Sequence, residues 1–281
     1  MRGLATAKNW VRSVHQARVK KSLYQRIREY ECNIHVFLES EDFLVKSAHR
    51  SFELLKALQL RHEIFIREWQ GREAPHGLDV DDLDFEADHL LIIDKRNGET
   101  VGTYRLLCTR FCENFYSENE FQMEGFLSTP WVKLELGRAC IHRDYRDGNT
   151  IDLLWKGLAR YIELSQAHYL FGCASIRTED PAVVSGLVKY IEGKYGEGED
   201  FGIQPTPDYV LTGYDSVIPK EMSPAECKEL IPPLLRSYLH AGAKIYGAPS
   251  WDRSFNCVDL LTILRVRDLN PKFRSRFFTG N

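Results

Sequence analysis

The chain is 281 residues long, 43% hydrophobic and 27% charged, with a formal net charge of −3 at pH 7. It has the material for a substantial core, and its charge gives no whole-molecule case for nucleic acid as a partner. No apolar run approaches the ~20 residues of a membrane-spanning helix, and the basic N-terminus lacks the apolar stretch of a secretory signal.

Residues 1–29 hold eight Lys or Arg against the single acid Glu29, and residues 8–30 read as a basic helix with Trp10, Val14, Leu23, Ile27 and Tyr30 at helical spacing. Residues 1–40 are therefore read as a basic arm, and 41–281 as a single domain. The arm suits an anionic partner, either a carrier protein or a membrane surface, unless it is simply a solvated helix face. A strand is expected over 43–48, then a long helix over 51–69 with Phe52, Leu55, Leu58 and Phe65 on one stripe. Residues 77–89 form a loop with six carboxylates. Strands over 89–96 and 99–110 follow, joined by a tight turn at Asn97-Gly98.

A short helix is expected over 115–128 and a strand over 132–146. An amphipathic helix (150–166) leads to an apolar run at 169–176, which suits a strand covered on both faces. Asp180 and Pro181 open a further helix by N-cap chemistry. Residues 193–223, rich in Gly and Pro, read as an irregular insertion. A helix at 224–240 and a hairpin within 243–266 end the chain. This order predicts an α/β (α+β) class, with a mixed central sheet and helices on both faces. The seven cysteines lack a CxxC pair and zinc-ligand spacing, which fits a reduced cytoplasm and no metal.

Six short stretches occur in a characteristic order: Leu60-Arg61-His-Glu-Ile-Phe65 with Trp69, Asp84-Phe-Glu86-Ala-Asp88-His89, Val101-Gly-Thr-Tyr-Arg105, Tyr116-Ser-Glu-Asn-Glu-Phe121, Glu135-Leu-Gly-Arg138 and Phe171-Gly-Cys-Ala-Ser175. In these the chain resembles the GNAT acyltransferases, and looks closest to the branch of the ornithine lipid N-acyltransferases (often labelled hemolysin-like) and the acyl-homoserine-lactone synthases. The resemblance covers residues 43–176 and resumes at 232–278. It implies a GNAT-like sheet with a splayed, bulged central strand. It also implies transfer of a 3-hydroxylated fatty acyl group from the phosphopantetheine of acyl carrier protein to the α-amine of ornithine, giving a lyso-ornithine lipid. The alternative is an acyl-homoserine-lactone synthase or another long-chain N-acyl amino acid synthase. The enzyme would work in the cytoplasm or at the inner membrane face, with no tightly bound cofactor.

Aminolysis of a thioester requires a neutral amine, so a positioned carboxylate is needed. Glu135 is the candidate base, directly or through one water, with an ion pair to Arg138 as the plainer reading. Residues 135 and 138 point to opposite faces of a regular strand, and a bulge at Leu136–Gly137 would return them to one face. By resemblance Arg61, Asp84, Glu86, Asp88, Arg105, Glu135 and Arg138 form one charged cluster around the acceptor, unless they are a purely structural network. Phe65 and Trp69 would cap the acceptor pocket or belong to the core. Arg143, Arg146, Gly148, Asn149 and Thr150 are candidates for the pantetheine phosphate at a helix N-terminus. With one glycine, that loop suits carrier protein better than the pyrophosphate of coenzyme A.

Overall fold

A computed structural model of the protein describes residues 22–146 and 148–278. Most of the basic arm, including Trp10 and Val14, lies outside the described residues. Within them the arm contributes helix α1 (Leu23–Arg28), capped by the Ser22 hydroxyl, with Ile27 buried.

The core is one long sheet. Strands β1 (Phe37–Glu39), β2 (Phe43–Ser47), β3 (Asp88–Asp94) and β4 (Glu99–Cys108) run antiparallel in sequence order. Helix α2 (Ser51–Arg61) and its π-helical continuation (His62–Trp69) connect β2 to the acidic loop. Next to β4 stands β6 (Lys133–Ile141), then β7 (Tyr169–Ile176), β11 (Cys257–Arg265) and β10 (Ser250–Asp252). The short β9 (Lys244–Ile245) also pairs with β11, while β5 (Phe121–Gln122) and β8 (Gln204–Pro205) form a separate ribbon. The β6–β7 pair is parallel. A parallel neighbour requires a crossover, which is supplied by α4 (Asn149–Ser165), whereas the small helix α3 (Glu124–Leu127) precedes β6.

Alternation along the strands divides the core into two layers. Leu90, Ile92, Tyr104, Leu106 and Leu134 pack against Leu154, Trp155 and Leu158 of α4. On the opposite face Leu91 and Ala48 pack against Leu54, Ala57 and Leu58 of α2 and Ile27 of α1. The apolar stripe of α2 thus starts at Leu54, and Phe52 is 55% exposed. Helices α5 (Pro181–Tyr195), α6 (Pro224–Leu230), α7 (Pro233–Ala241) and α8 (Pro271–Phe277) complete the layers. Among the described residues no helix is long and apolar enough to cross a membrane.

Four local expectations are corrected. The β3–β4 turn spans four residues between Asp94 and Glu99, with Gly98 alone left-handed at φ 74°. Residues 115–128 form a 3-10 turn (Tyr116–Asn119), β5 and α3 instead of one helix. The N–H groups of Tyr116 and Ser117 go to the Glu135 carboxylate, a tertiary claim on that backbone. The helix at 224–240 breaks into α6 and α7 because Pro232 and Pro233 lack the N–H a helix interior needs. The β6 ladder stops at Ile141, and Arg143–Tyr145 is a 3-10 turn.

Candidate active site

Strand β6 creates the site by leaving its neighbour. It pairs with β7 only from Lys133 to Glu135, opposite Tyr169 to Phe171, although β7 continues along β11 to Ile176. At the parting point a Cβ on Gly172 would lie 2.3 Å from the Leu136 carbonyl oxygen, so the approach admits glycine alone. Beyond it opens a cleft of about 470 Å³ lined by both faces of the sheet. On one side stand Phe65, Trp69, Tyr116 and Arg138, and on the other Tyr104, Leu136, Leu235 and Tyr238.

The bulge lies at Arg138–Ala139, two residues beyond the expected Leu136–Gly137. Thr103 pairs with Cys140 and Arg105 with Gly137, so Tyr104 alone faces two residues of β6. Arg138 itself takes the left-handed conformation (φ 52°). Gly137 does not require its lack of side chain, since a Cβ there would meet only Arg105 Nε at 3.9 Å. The bulge changes which residues face α2. Before it Leu134 and Leu136 face α4, and after it Ala139 and Ile141 do, while Cys140 packs on Leu60 of α2 and Ile64 of its π-helical continuation. Glu135 and Arg138 therefore lie on the α2 side together.

They do not pair with each other. Glu135 Oε1 accepts from Ser117 N (2.7 Å) and Ser117 Oγ (2.6 Å), and Oε2 from Tyr116 N (2.8 Å). A carboxylate offers about four lone-pair sites, so one site on Oε2 remains. Burial pushes this carboxyl above its ordinary value, partly offset by the Ser117 and Tyr116 hydrogen bonds and by Arg105. The Arg138 guanidinium lies 4.7 Å from the Tyr116 ring centroid and 5.0 Å from that of Phe255. Its nearest carboxylates are Asp79 at 3.6 Å and Asp81 at 3.8 Å, beyond hydrogen-bonding distance, and its Nε has no partner among the described residues.

Of the expected charged cluster, Arg61, Asp84 and Arg105 come together. The fully buried Arg61 grips Asp84 with two N–H bonds (2.5 and 3.1 Å) and donates to Asp79 (2.8 Å). Arg105 bridges Asp81 (2.8 Å) and Asp84 (3.1 Å). Burial alone would raise the Asp84 carboxyl, but Arg61 and Arg105 outweigh it and hold it far below the usual carboxylate range. Asp79 and Asp81 belong to this network; Glu86 and Asp88 do not. Glu86 is exposed. Asp88 accepts from Asn33 N (2.6 Å), Ile34 N (3.0 Å) and Tyr161 OH (2.7 Å), which fastens the segment before β1. Phe65 and Trp69 line the cleft and form an aromatic trio with Phe255, centroids 6.1–6.4 Å apart.

A second carboxyl group cluster was left without a role by the sequence. Asp252 and Asp259 line the cleft, and Glu120 stands behind them, fully buried. Asp252 accepts from Ser254 N (2.7 Å) and from Tyr116 OH (3.3 Å), and Glu120 Oε2 from Ser250 Oγ (2.6 Å). Glu120 Oε1 and Asp259 Oδ1 receive no donor among the described residues. Burial, reinforced by neighbouring carboxylates, pushes Glu120 up to about 9 and Asp259 up to about 6. Burial thus favours a proton on this pair, and an ammonium brought beside it would favour the ionised form instead. Glu120 lies within the 116–121 stretch and Asp259 within the terminal hairpin. Their joining by strand order had no signal in the chain. Cys173, nearby, has its thiol raised by burial, which disfavours the thiolate that a nucleophile needs.

At the other mouth, Arg146 lines the cleft and grips Glu68 with two N–H bonds (2.6 and 2.8 Å). Arg143 is exposed and makes no ion pair among the described residues. Gly148 is left-handed (φ 91°) and starts α4 at Asn149, while the Thr150 hydroxyl is taken by the Tyr145 carbonyl (2.7 Å).

Residues 60–156 match the acetyltransferase (GNAT) domain family, a span that includes Arg61, the acidic loop, β4 and the bulged strand. The chain is 28% identical over 240 residues to the L-ornithine N(alpha)-acyltransferase of Rhizobium meliloti, covering 80% of this chain and 81% of that one. It is 29% identical over 248 residues to the protein of that name from Brucella abortus, covering 83% and 88%. Solved structures with a similar trace include the acyl-homoserine-lactone synthase LasI (13% identity, TM-score 0.49, covering 86% and 97%) and FeeM, an N-acyl amino acid synthase from uncultured soil microbes (10%, 0.46, 84% and 96%). The family match covers residues 60–156, across the strand whose bulge and departure from β7 form the cleft, and together with the similarity to proteins named L-ornithine N(alpha)-acyltransferase it marks the chain as an acyltransferase.

Proposed function

We propose that the protein transfers a 3-hydroxylated fatty acyl group from acyl carrier protein to the α-amine of ornithine, giving a lyso-ornithine lipid at the inner face of the membrane. The observation that carries this reading is a pair of oppositely charged groups in one cleft whose hydrogen-bonding capacity is unfilled. Arg138 has an unpartnered Nε, and Asp259 has an unpartnered carboxyl oxygen, itself beside that of Glu120. Arg61 and Arg105 are hydrogen-bonded to Asp79, Asp81 and Asp84, so their network serves as scaffold. An amino acid with a cationic side chain fits what remains: Arg138 takes its α-carboxylate, and Asp259 with Glu120 takes its side-chain ammonium. The relatives named L-ornithine N(alpha)-acyltransferase support the same acceptor.

The acyl-pantetheine would lie between β6 and β7, its phosphate held by Arg143, by the first amides of α4 and by Arg146 once that residue exchanges Glu68 for phosphate. Glu135, through its remaining lone pair, accepts a proton from the α-ammonium, directly or through one water. The freed amine adds to the thioester carbonyl, the C–S bond breaks as the amide forms, and the amine's second proton goes to the departing thiolate. The protein is to be incubated with 3-hydroxyacyl carrier protein or 3-hydroxyacyl coenzyme A, each with ornithine, lysine, neutral amino acids or S-adenosylmethionine, and the products identified by mass. Product from carrier protein and ornithine is expected. Product with S-adenosylmethionine alone overturns the acceptor, and equal rates from coenzyme A overturn the donor.

A further inference from the structure

Away from the cleft, with β3 and β4 between, three metal-ligating side chains converge at the β1–β2 edge. Cys32 and His35 lie in the segment between α1 and β1, and His49 lies two residues before α2. Cys32 Sγ is 3.6 Å from His35 Nδ1 and 3.8 Å from His49 Nδ1, and the three ligand atoms lie within 4.8 Å of one another. A tetrahedral zinc with Zn–S of ~2.3 Å and Zn–N of ~2.0 Å has an S···N edge of about 3.6 Å. The separation to His35 equals that edge, and the one to His49 exceeds it by 0.2 Å.

The backbone holding the three residues is fixed by other bonds. Asp88 takes the N–H groups of Asn33 and Ile34. Ser47 Oγ donates to Ile34 O (2.6 Å) and accepts from Val36 N (3.0 Å). His49 N donates to Glu53 Oε2 (2.8 Å). The site is thus preorganised without its own side chains paying any strain. Cys32 is half-buried and both histidines are exposed, so the fourth corner faces solvent.

We propose that Cys32, His35 and His49 bind one divalent zinc-class ion, with water as fourth ligand, clamping the segment before β1 to the start of α2. One thiolate and two imidazoles select zinc or cobalt over magnesium or calcium. In the sequence only Cys32-x-x-His35 hints at such a site, because the third residue arrives only through the β1–β2 hairpin.

The test uses untagged full-length protein, equilibrated with zinc, dialysed against metal-free buffer and assayed by mass spectrometry of elements. One zinc per chain is expected in the wild type, with loss of that zinc in Cys32→Ser and in His49→Ala. The cobalt-loaded wild type should show sulfur-to-cobalt charge transfer that disappears in Cys32→Ser. Should a variant fail to fold, X-ray absorption of the wild-type zinc protein decides, with one sulfur and two imidazole nitrogens expected in the shell. A wild type without stoichiometric zinc, variants that keep it, or a shell lacking sulfur would each overturn the site.

Discussion

Gly172→Ala tests whether the parting of β6 and β7 is the origin of the cleft. The new Cβ would stand 2.3 Å from Leu136 O and 3.3 Å from its carbonyl carbon, both backbone atoms that no rotamer change can move. Relief requires about 1 Å of separation, because overpacked contacts are relieved by backbone shifts costing typically 1–3 kcal/mol. Strand β7 cannot easily yield: it is paired with β11 along its whole length, and Thr262 Oγ1 donates to Gly172 O (3.1 Å). The movement therefore falls on β6 at Leu136, next to Glu135 and the bulge. A misplacement of about 1 Å at a reacting centre costs about 100-fold in rate. The assay is single-turnover acyl transfer to ornithine, with urea unfolding of the same preparations. Gly137→Ala is the companion, since its Cβ meets only Arg105 Nε at 3.9 Å; its stability should stay within about 1 kcal/mol of wild type, as expected for glycine replaced in a strand. Single-turnover rates of Gly172→Ala within about threefold of wild type, a difference under ~0.7 kcal/mol, would refute the reasoning.

Further outcomes follow from the charged groups. Asp84→Asn strips the buried Arg61 of its bidentate partner and should cost about 3–5 kcal/mol in urea unfolding at pH 7. Because the Asp84 carboxyl is depressed, its contribution is present above its ordinary pKa near 4 and lost as pH falls through the lower folded value, so the variant should also flatten the acid limb. Glu120 has the opposite sign: a carboxyl raised to about 9 costs stability progressively as pH climbs from its unfolded value toward 9. Glu120→Gln should therefore be more stable than wild type at pH 9, with the gap closing near pH 4, and equal pH profiles would contradict this. Asp259→Asn should raise KM for ornithine at least about 10-fold with a smaller change in kcat, the signature of lost ground-state binding, and a variant with unchanged KM would remove Asp259 from acceptor binding. Glu135→Gln should lower kcat by about 10²–10⁴-fold, and full activity would leave the Glu135 carboxylate as a clasp for Tyr116 and Ser117.

The chain alone determined what local chemistry can express. Alternation and apolar runs specified β3, β4, β7 and β11, and Asp180-Pro181 specified the start of α5. The run at 169–176 announced burial on both faces: Phe171 packs with Phe115 and Phe126 on one, and Ala174 and Ile176 with Val184 and Leu187 of α5 on the other. Of the seven residues that the resemblance placed in one cluster, Arg61, Asp84 and Arg105 are hydrogen-bonded together, and the odd spacing of 135 and 138 demanded a bulge. Tertiary structure decided the rest, because each remaining question depended on partners far away in sequence. The bulge falls at Arg138 since only the ladder with β4 sets which residue is left over, and Asp79 and Asp81 wait there for its charge. Glu86 and Asp88 leave the cluster because a strand begins at Asp88 and turns it toward Asn33 and Tyr161. Asp259 meets Glu120 because β11 lies beside β7, and His49 meets Cys32 because β1 folds back on β2. Periodicity carries the face a residue occupies along its own element; only the packed sheet brings two distant carboxyls, or a thiol and two imidazoles, to within bonding distance.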